Sequence, residues 1–256
     1  MQVTIEEIIY PSSDGKPMAD STTQFDLMVK IQDGCESLFK NDPNVFIAAD
    51  LLWYPVEGRN DIFQAPDTMV IFGRPKGDRL SYLQFREDHI APQFVFEIRS
   101  YKDTQTKMDE KFSFYNCYGV EEYYVYELDE DEKNLSGWQR MEGNLEVIEQ
   151  MRGWVSPRLG IRFELGEDGL EIYKPDGQKF LSYLELVEQI ELNRQRRKQA
   201  AQISEQEFQR AEQESQKAEQ AAQRAEQESQ KAEQAAQKAE RLAAKLRELN
   251  IDPDRI

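Results

Sequence analysis

Residues 211–224, AEQESQKAEQAAQR, recur at 225–238 as AEQESQKAEQAAQK, with only the last residue changed. The unit is two heptads long. Ala211, Ala218, Ala225, Ala232, Ala239 and Leu246 share one heptad position, and Ser215, Ala222, Ser229, Ala236 and Ala243 the other, giving a seam with 3/4 spacing. Alanine removes little apolar surface from water, so this seam cannot hold a core. Helix propensity and pairs such as Glu214 with Lys217 sustain the helix instead. The helical pattern begins at Ser182 and runs to Asn250, before the breaker IDPD. At ~1.5 Å per residue it reaches on the order of 100 Å. It reads either as a solvated arm or as a self-associating one. Any globular core must therefore come from earlier in the chain: a domain over 1–190, followed by a helical or coiled-coil arm over 191–256.

The composition agrees. Hydrophobic residues make up only 39% of the 256-residue chain, but the large ones concentrate before residue 190. The net charge is −17, and the residues from Gln199 on hold 9 basic and 12 acidic side chains, so most of the excess lies in the domain. Such acidity argues against loose, charge-driven binding to polyanions. A local site is still open to them: residues 74–111 hold eight basic side chains against seven acidic ones, a nearly neutral neighbourhood. Cys35 and Cys117, with no CxxC, indicate neither a zinc site nor a disulfide framework. The start of the chain lacks a basic segment followed by an apolar run, and no stretch approaches the ~18 apolar residues that span a bilayer, so a cytoplasmic address without membrane attachment is expected.

Along the domain, STTQFDLMVKIQDGCESLFK places Phe25, Met28, Val29, Cys35, Leu38 and Phe39 near helical spacing behind capping Ser and Thr residues. NVFIAADLLWYPV, DTMVIFG, FVFEIRS and EYYVYEL read as strands. Between the last two, a helix is expected from the caps Asp103 and Thr104 to Gly119, with Met108, Phe112, Tyr115 and Tyr118 on one stripe. A helix joining two strands predicts a partly parallel sheet. LSGWQRM, LEVIEQ, GIRFELG and LEIYKPDG read as antiparallel additions to it.

The strand FVFEIRS raises a chemical question. Alternation turns Phe94, Phe96 and Ile98 to one face and Val95, Glu97 and Arg99 to the other. Glu97 and Arg99 alone would suggest an internal ion pair. Two other residues widen the reading: Asp67 follows Pro66 at the start of a strand, and Lys111 lies inside the apolar stripe of the following helix, where a cation needs a carboxylate, most simply Glu97. Two acids without histidine make a hard, oxygen-rich site suited to Mg²⁺ or Mn²⁺. Metal-assisted phosphodiester cleavage needs such acids, with a cation to hold the water or offset charge on the phosphate. His89, the single histidine, reads as a loop residue, and the tyrosines from Tyr115 to Tyr126 as core.

APDTMVIFG, APQFVFEIRS, DEKFSFYNCYGVEEYYVYELD and GWVSPRLGIRFELGEDGLEIYKPDG together resemble the Uma-type restriction-endonuclease family, a branch of the PD-(D/E)xK nuclease superfamily, over roughly residues 10–190. The resemblance implies an α/β (α+β) fold: a restriction-endonuclease-like mixed sheet flanked by helices, here with a long C-terminal helical arm. It implies Asp67 and Glu97 as metal-binding and catalytic acids. Arg99 occupies the place of the superfamily's lysine, and Lys111 on the next helix supplies the amine. Asp50 is a further metal ligand or supports one, and Glu36 is a weaker candidate. The expected function is metal-dependent cleavage of DNA. The alternative is a nuclease fold without turnover, acting through its arm. Homo-oligomerisation through the sheet domain or the C-terminal helix stays open.

Overall fold

The computed structural model describes residues 8–128, 133–166 and 169–248. Ser21, in extended conformation, accepts from the Gln24 backbone N–H and opens helix α1 (Thr22–Leu38). Its inward face is Gln24, Met28, Ile31, Gly34 and Cys35. This shifts the expected stripe by one residue, and Phe25 is exposed. The reason is specific: the Gln24 amide donates to the Ile98 carbonyl and its oxygen accepts from Asp20 N–H, so a polar residue with two backbone partners holds the position that Phe25 was expected to take.

Six strands form the main sheet: β1 (Val45–Ala48), β3 (Thr68–Phe72), β5 (Phe94–Arg99), β6 (Glu122–Glu127), β7 (Asn134–Met141) and β8 (Asn144–Val147), in that spatial order. All neighbours are antiparallel except β5 and β6. Between these two runs helix α2 (Gln105–Cys117), capped by the Thr104 hydroxyl and ended before Gly119 at φ +94. The sheet is thus mixed because one crossover is helical, as the alternation of elements predicts.

Two parts of the sequence reading need correction. The apolar run after residue 44 is two strands, since Asp50 adopts φ +49 and turns the chain; β2 (Trp53–Tyr54) then pairs in parallel with β4 (Tyr82–Leu83) in a separate small sheet. A single 3-10 turn, Gln84–Arg86, follows. β9 (Arg162–Gly166) and β10 (Gly169–Tyr173) pair only with each other among the described strands, rather than extending the main sheet.

The sheet is covered on both faces. Phe94, Phe96 and Ile98 join α1 and the β9–β10 hairpin in one apolar cluster, with Phe163 and Phe180 at full burial. Val95, on the opposite face, packs with Met108, Tyr115, Tyr123 and Trp53 beneath α2. Both faces being dry explains why β5 reads as a nearly unbroken apolar run.

The chain separates into two units, Met1–Val187 and Glu188–Ile256. Helix α3 (Tyr183–Glu248) begins in the first, where Ser182 and Glu185 form a reciprocal capping box and Glu185 pairs with Lys30 of α1. In the second unit the alanine seam is almost wholly exposed. The expected helix end at Asn250 lies outside the described residues. Among the described residues, no helix is long and apolar enough to cross a membrane.

Candidate active site

Strand register brings the two acids together. Thr68 is paired with Phe96 across β3 and β5, so the next antiparallel position sets Asp67 opposite Glu97 on the α2 side of the sheet. The β3 ladder stops at Thr68, and there Asp67 Oδ2 accepts from Ile98 N–H at 2.6 Å. The carboxylate continues the ladder where backbone pairing ends. Asp67 and Glu97 are both buried. Burial first, and then the charge of Glu97, hold the Asp67 carboxyl well above the usual carboxylate range.

Helix α2 supplies the cation. Lys111 Nζ donates to Glu97 Oε2 at 2.6 Å, and one turn later the Tyr115 hydroxyl donates to Glu97 Oε1. Burial works against the Lys111 charge, yet Glu97 and Asp67 hold its pKa above the ordinary lysine value. Tyr115, fully buried, is pushed well above the normal phenol range by burial and by Glu97. The sequence reading treated Tyr115 as core. Its signal was present all the same: four residues after Lys111 on one helix, it must share that lysine's face.

The other candidates separate. Asp50 is half-buried; its N–H donates to the Pro66 carbonyl, which holds it beside the segment leading to Asp67. Burial, Asp14 and Glu97 push its carboxyl up to about 6, with Lys111 opposing. Arg99 makes its ion pair with Glu127, at 3.0 Å on the adjacent strand, and donates to the Asp103 carbonyl, with no bond to Glu97. The expected internal Glu97–Arg99 pair is therefore absent among the described residues, because β6 offers Arg99 a carboxylate directly across the register. Glu36 pairs with Lys76 at 2.5 Å and lies apart from the acids. His89 is an exposed loop residue at φ +57.

Above Asp67 opens a cavity of about 380 Å³ lined by Asp14, Asp20, Asp50, Asp61, Asp67 and Asp103, with Lys16, Lys107 and Lys111. The aspartates other than Asp50 and Asp67 come from loops with no periodic pattern, so nothing in the sequence grouped them. Among the described residues, no group of three or more His, Cys, Asp or Glu side chains stands ready as a metal cage.

Residues 9–172 match the Uma2 family, described as "Putative restriction endonuclease". The chain belongs to the Uma2 family. Among solved structures, this Uma2 chain is similar to a "putative nuclease belonging to DUF820" from Anabaena variabilis ATCC 29413, at 18% identity and a TM-score of 0.40, covering 57% of this chain and 79% of that one. No curated protein matches. The Uma2 match spans α1, the main sheet, α2 and nearly all of the β9–β10 hairpin, so the acids, the lysine and the cavity all fall inside it.

Proposed function

We propose that this Uma2 domain is a divalent-metal-dependent endonuclease that hydrolyses phosphodiester bonds in DNA. The observation that carries the reading is the convergence of Asp67 and Glu97, from adjacent strands, on the amine of Lys111.

The residues suit Mg²⁺ or Mn²⁺. Burial and the charge of Glu97 work against a charged Asp67, an opposition that a divalent cation would relieve, and the two carboxyls carry the hard oxygen donors these ions take. Mg²⁺ uses one or two protein carboxylates and fills its other positions with water and substrate phosphate, so a three-acid cage is not required. Asp67 and Glu97 would hold the ion, with Asp50, tied by its backbone to Pro66, contributing from beside Asp67. When bound, it supplies a Lewis acid for the phosphoryl oxygen and an acidified water.

The chain's own residues do the rest. Tyr115 fixes one Glu97 oxygen and so orients the carboxylate. Lys111, charged despite burial, holds the attacking water or offsets charge gathering on the phosphate. Arg99, a quarter exposed and paired with Glu127, is placed to meet phosphate outside the acid pair. Self-association through the sheet domain or through α3 would set how many such sites act together.

The test is cleavage of plasmid DNA by the full chain with and without Mg²⁺ or Mn²⁺, beside Asp67→Asn and Glu97→Gln. Cleavage that requires the ion and disappears in both variants is the expected result. Equal activity in all three proteins would remove the assignment. A second reading, a nuclease fold without turnover, is favoured by the engagement of Arg99 with Glu127 where the superfamily carries its lysine. Calorimetric titration with Mn²⁺ separates the two, since only the nuclease reading needs binding that is lost in Asp67→Asn.

A further inference from the structure

Building on the nuclease reading, we infer that the basic turn Arg194–Lys198 of α3 is a contact surface for the phosphate backbone of duplex DNA. Between Glu191 and Glu205 the chain carries Arg194, Arg196, Arg197 and Lys198 and no acid, in a protein of net charge −17. All four are exposed, and among the described residues none of them forms an ion pair. Glu191 stands three residues before Arg194 but does not pair with it.

Helical spacing makes this a focused patch. Arg194, Arg197 and Lys198 stand at i, i+3 and i+4, one face of a single turn, with Cβ atoms about 5–6 Å apart. Like charges at these spacings cost the free helix a few tenths of a kcal/mol per pair. The repeat further along avoids that cost: Lys217 follows Glu214 by three residues, and Arg224 and Lys231 flank Glu228 at four and three. The basic turn thus concentrates positive charge on one face of the helix, with no ion-pair partner among the described residues. Duplex DNA, with one negative charge per ~1.7 Å of axis, presents several phosphates to a surface of this size, and each one neutralised releases counter-ions.

The experiment measures the affinity of the full chain for a short fluorescent duplex across a salt series, in Ca²⁺ to separate binding from cleavage. The variant R194Q/R196Q/R197Q/K198Q keeps good helix formers, checked by circular dichroism. A control, K217Q/R224Q/K231Q/K238Q, makes the same change in net charge within the repeat. The expected result is a salt slope shallower by about 3 and an affinity about tenfold or more weaker for the first variant, with the control close to wild type. Equal losses in both variants, or none in either, would overturn the inference, as would wild-type protein that binds anionic phosphatidylserine vesicles through this turn and no duplex. The outcome is separable from that of the nuclease reading. A protein that cleaves normally without the basic turn refutes only this surface, whereas one that binds DNA through it and never cleaves refutes only the catalysis.

Discussion

Lys111 and Tyr115, one turn apart on α2, divide the two oxygens of Glu97 between them. A carboxylate at 1% exposure is thereby satisfied by a single helix, and the stability of the site becomes a property of that clamp.

Removing one half of the clamp should cost more than removing both charges. Lys111→Met leaves Glu97 buried and unpaired, and a loss of about 3–5 kcal/mol is expected in urea unfolding. Lys111→Met combined with Glu97→Gln should recover much of that loss, since no charge remains buried. Both proteins should be inactive. A double variant as unstable as the single one would show that the pair matters for packing rather than charge.

Glu122, far from the cavity, gives a pH signature. Burial raises its pKa, while Ser156, the Arg158 N–H and Tyr124 work in the other direction through hydrogen bonds. With the folded pKa above the unfolded value of about 4.3, the folded state holds more protons than the unfolded one in the window between them. Unfolding free energy therefore falls as pH rises through that window. Urea midpoints across mildly acid pH should follow this trend in the wild type, and Glu122→Gln should flatten that component. An unchanged profile in Glu122→Gln would contradict it.

The two cysteines should differ sharply. Cys35 is fully buried on the inner face of α1, its thiol pushed up to about 12 by burial and by Glu36. Cys117 is exposed at the end of α2. Native protein should take up one equivalent of a maleimide and unfolded protein two, with peptide mapping placing the first on Cys117. Labelling of Cys35 in the native state would contradict the packing of α1.

Gly34 is required by a neighbour rather than by its own backbone. A Cβ there would lie 2.5 Å from Cγ of Phe180, close to the root of a fully buried ring. Gly34→Ala should therefore destabilise by about 1–3 kcal/mol, although alanine favours a helix by up to about 1 kcal/mol. Thermal melts of this variant alone and with Phe180→Leu check the point, because trimming the ring should return part of the loss.

How far the sequence could be read followed from how local each signal was. β3, β5, β6 and α2 were legible because alternation, a Thr104 cap and Gly119 punctuate them, and Lys111 was legible because a cation inside an apolar stripe needs a partner. Gln24 was not, since its reason for being buried is the Ile98 carbonyl, 74 residues away. Arg99 and Glu97, taken alone on one strand, suggested an ion pair, whereas the register across to β6 gave Arg99 Glu127. The β9–β10 hairpin carries the same alternation as β7 and β8, and only tertiary packing separates them into different sheets.

The bond from Ile98 N–H to Asp67 makes strand alignment and acid placement one event. If β3 slid by a single residue, Thr68 would face Glu97 and the aspartate would turn toward the opposite layer, under α1. Such a misassembled chain could neither close its ladder nor bring the two carboxyl groups together. Correct threading of β3 is thus the condition for Asp67 to stand opposite Glu97.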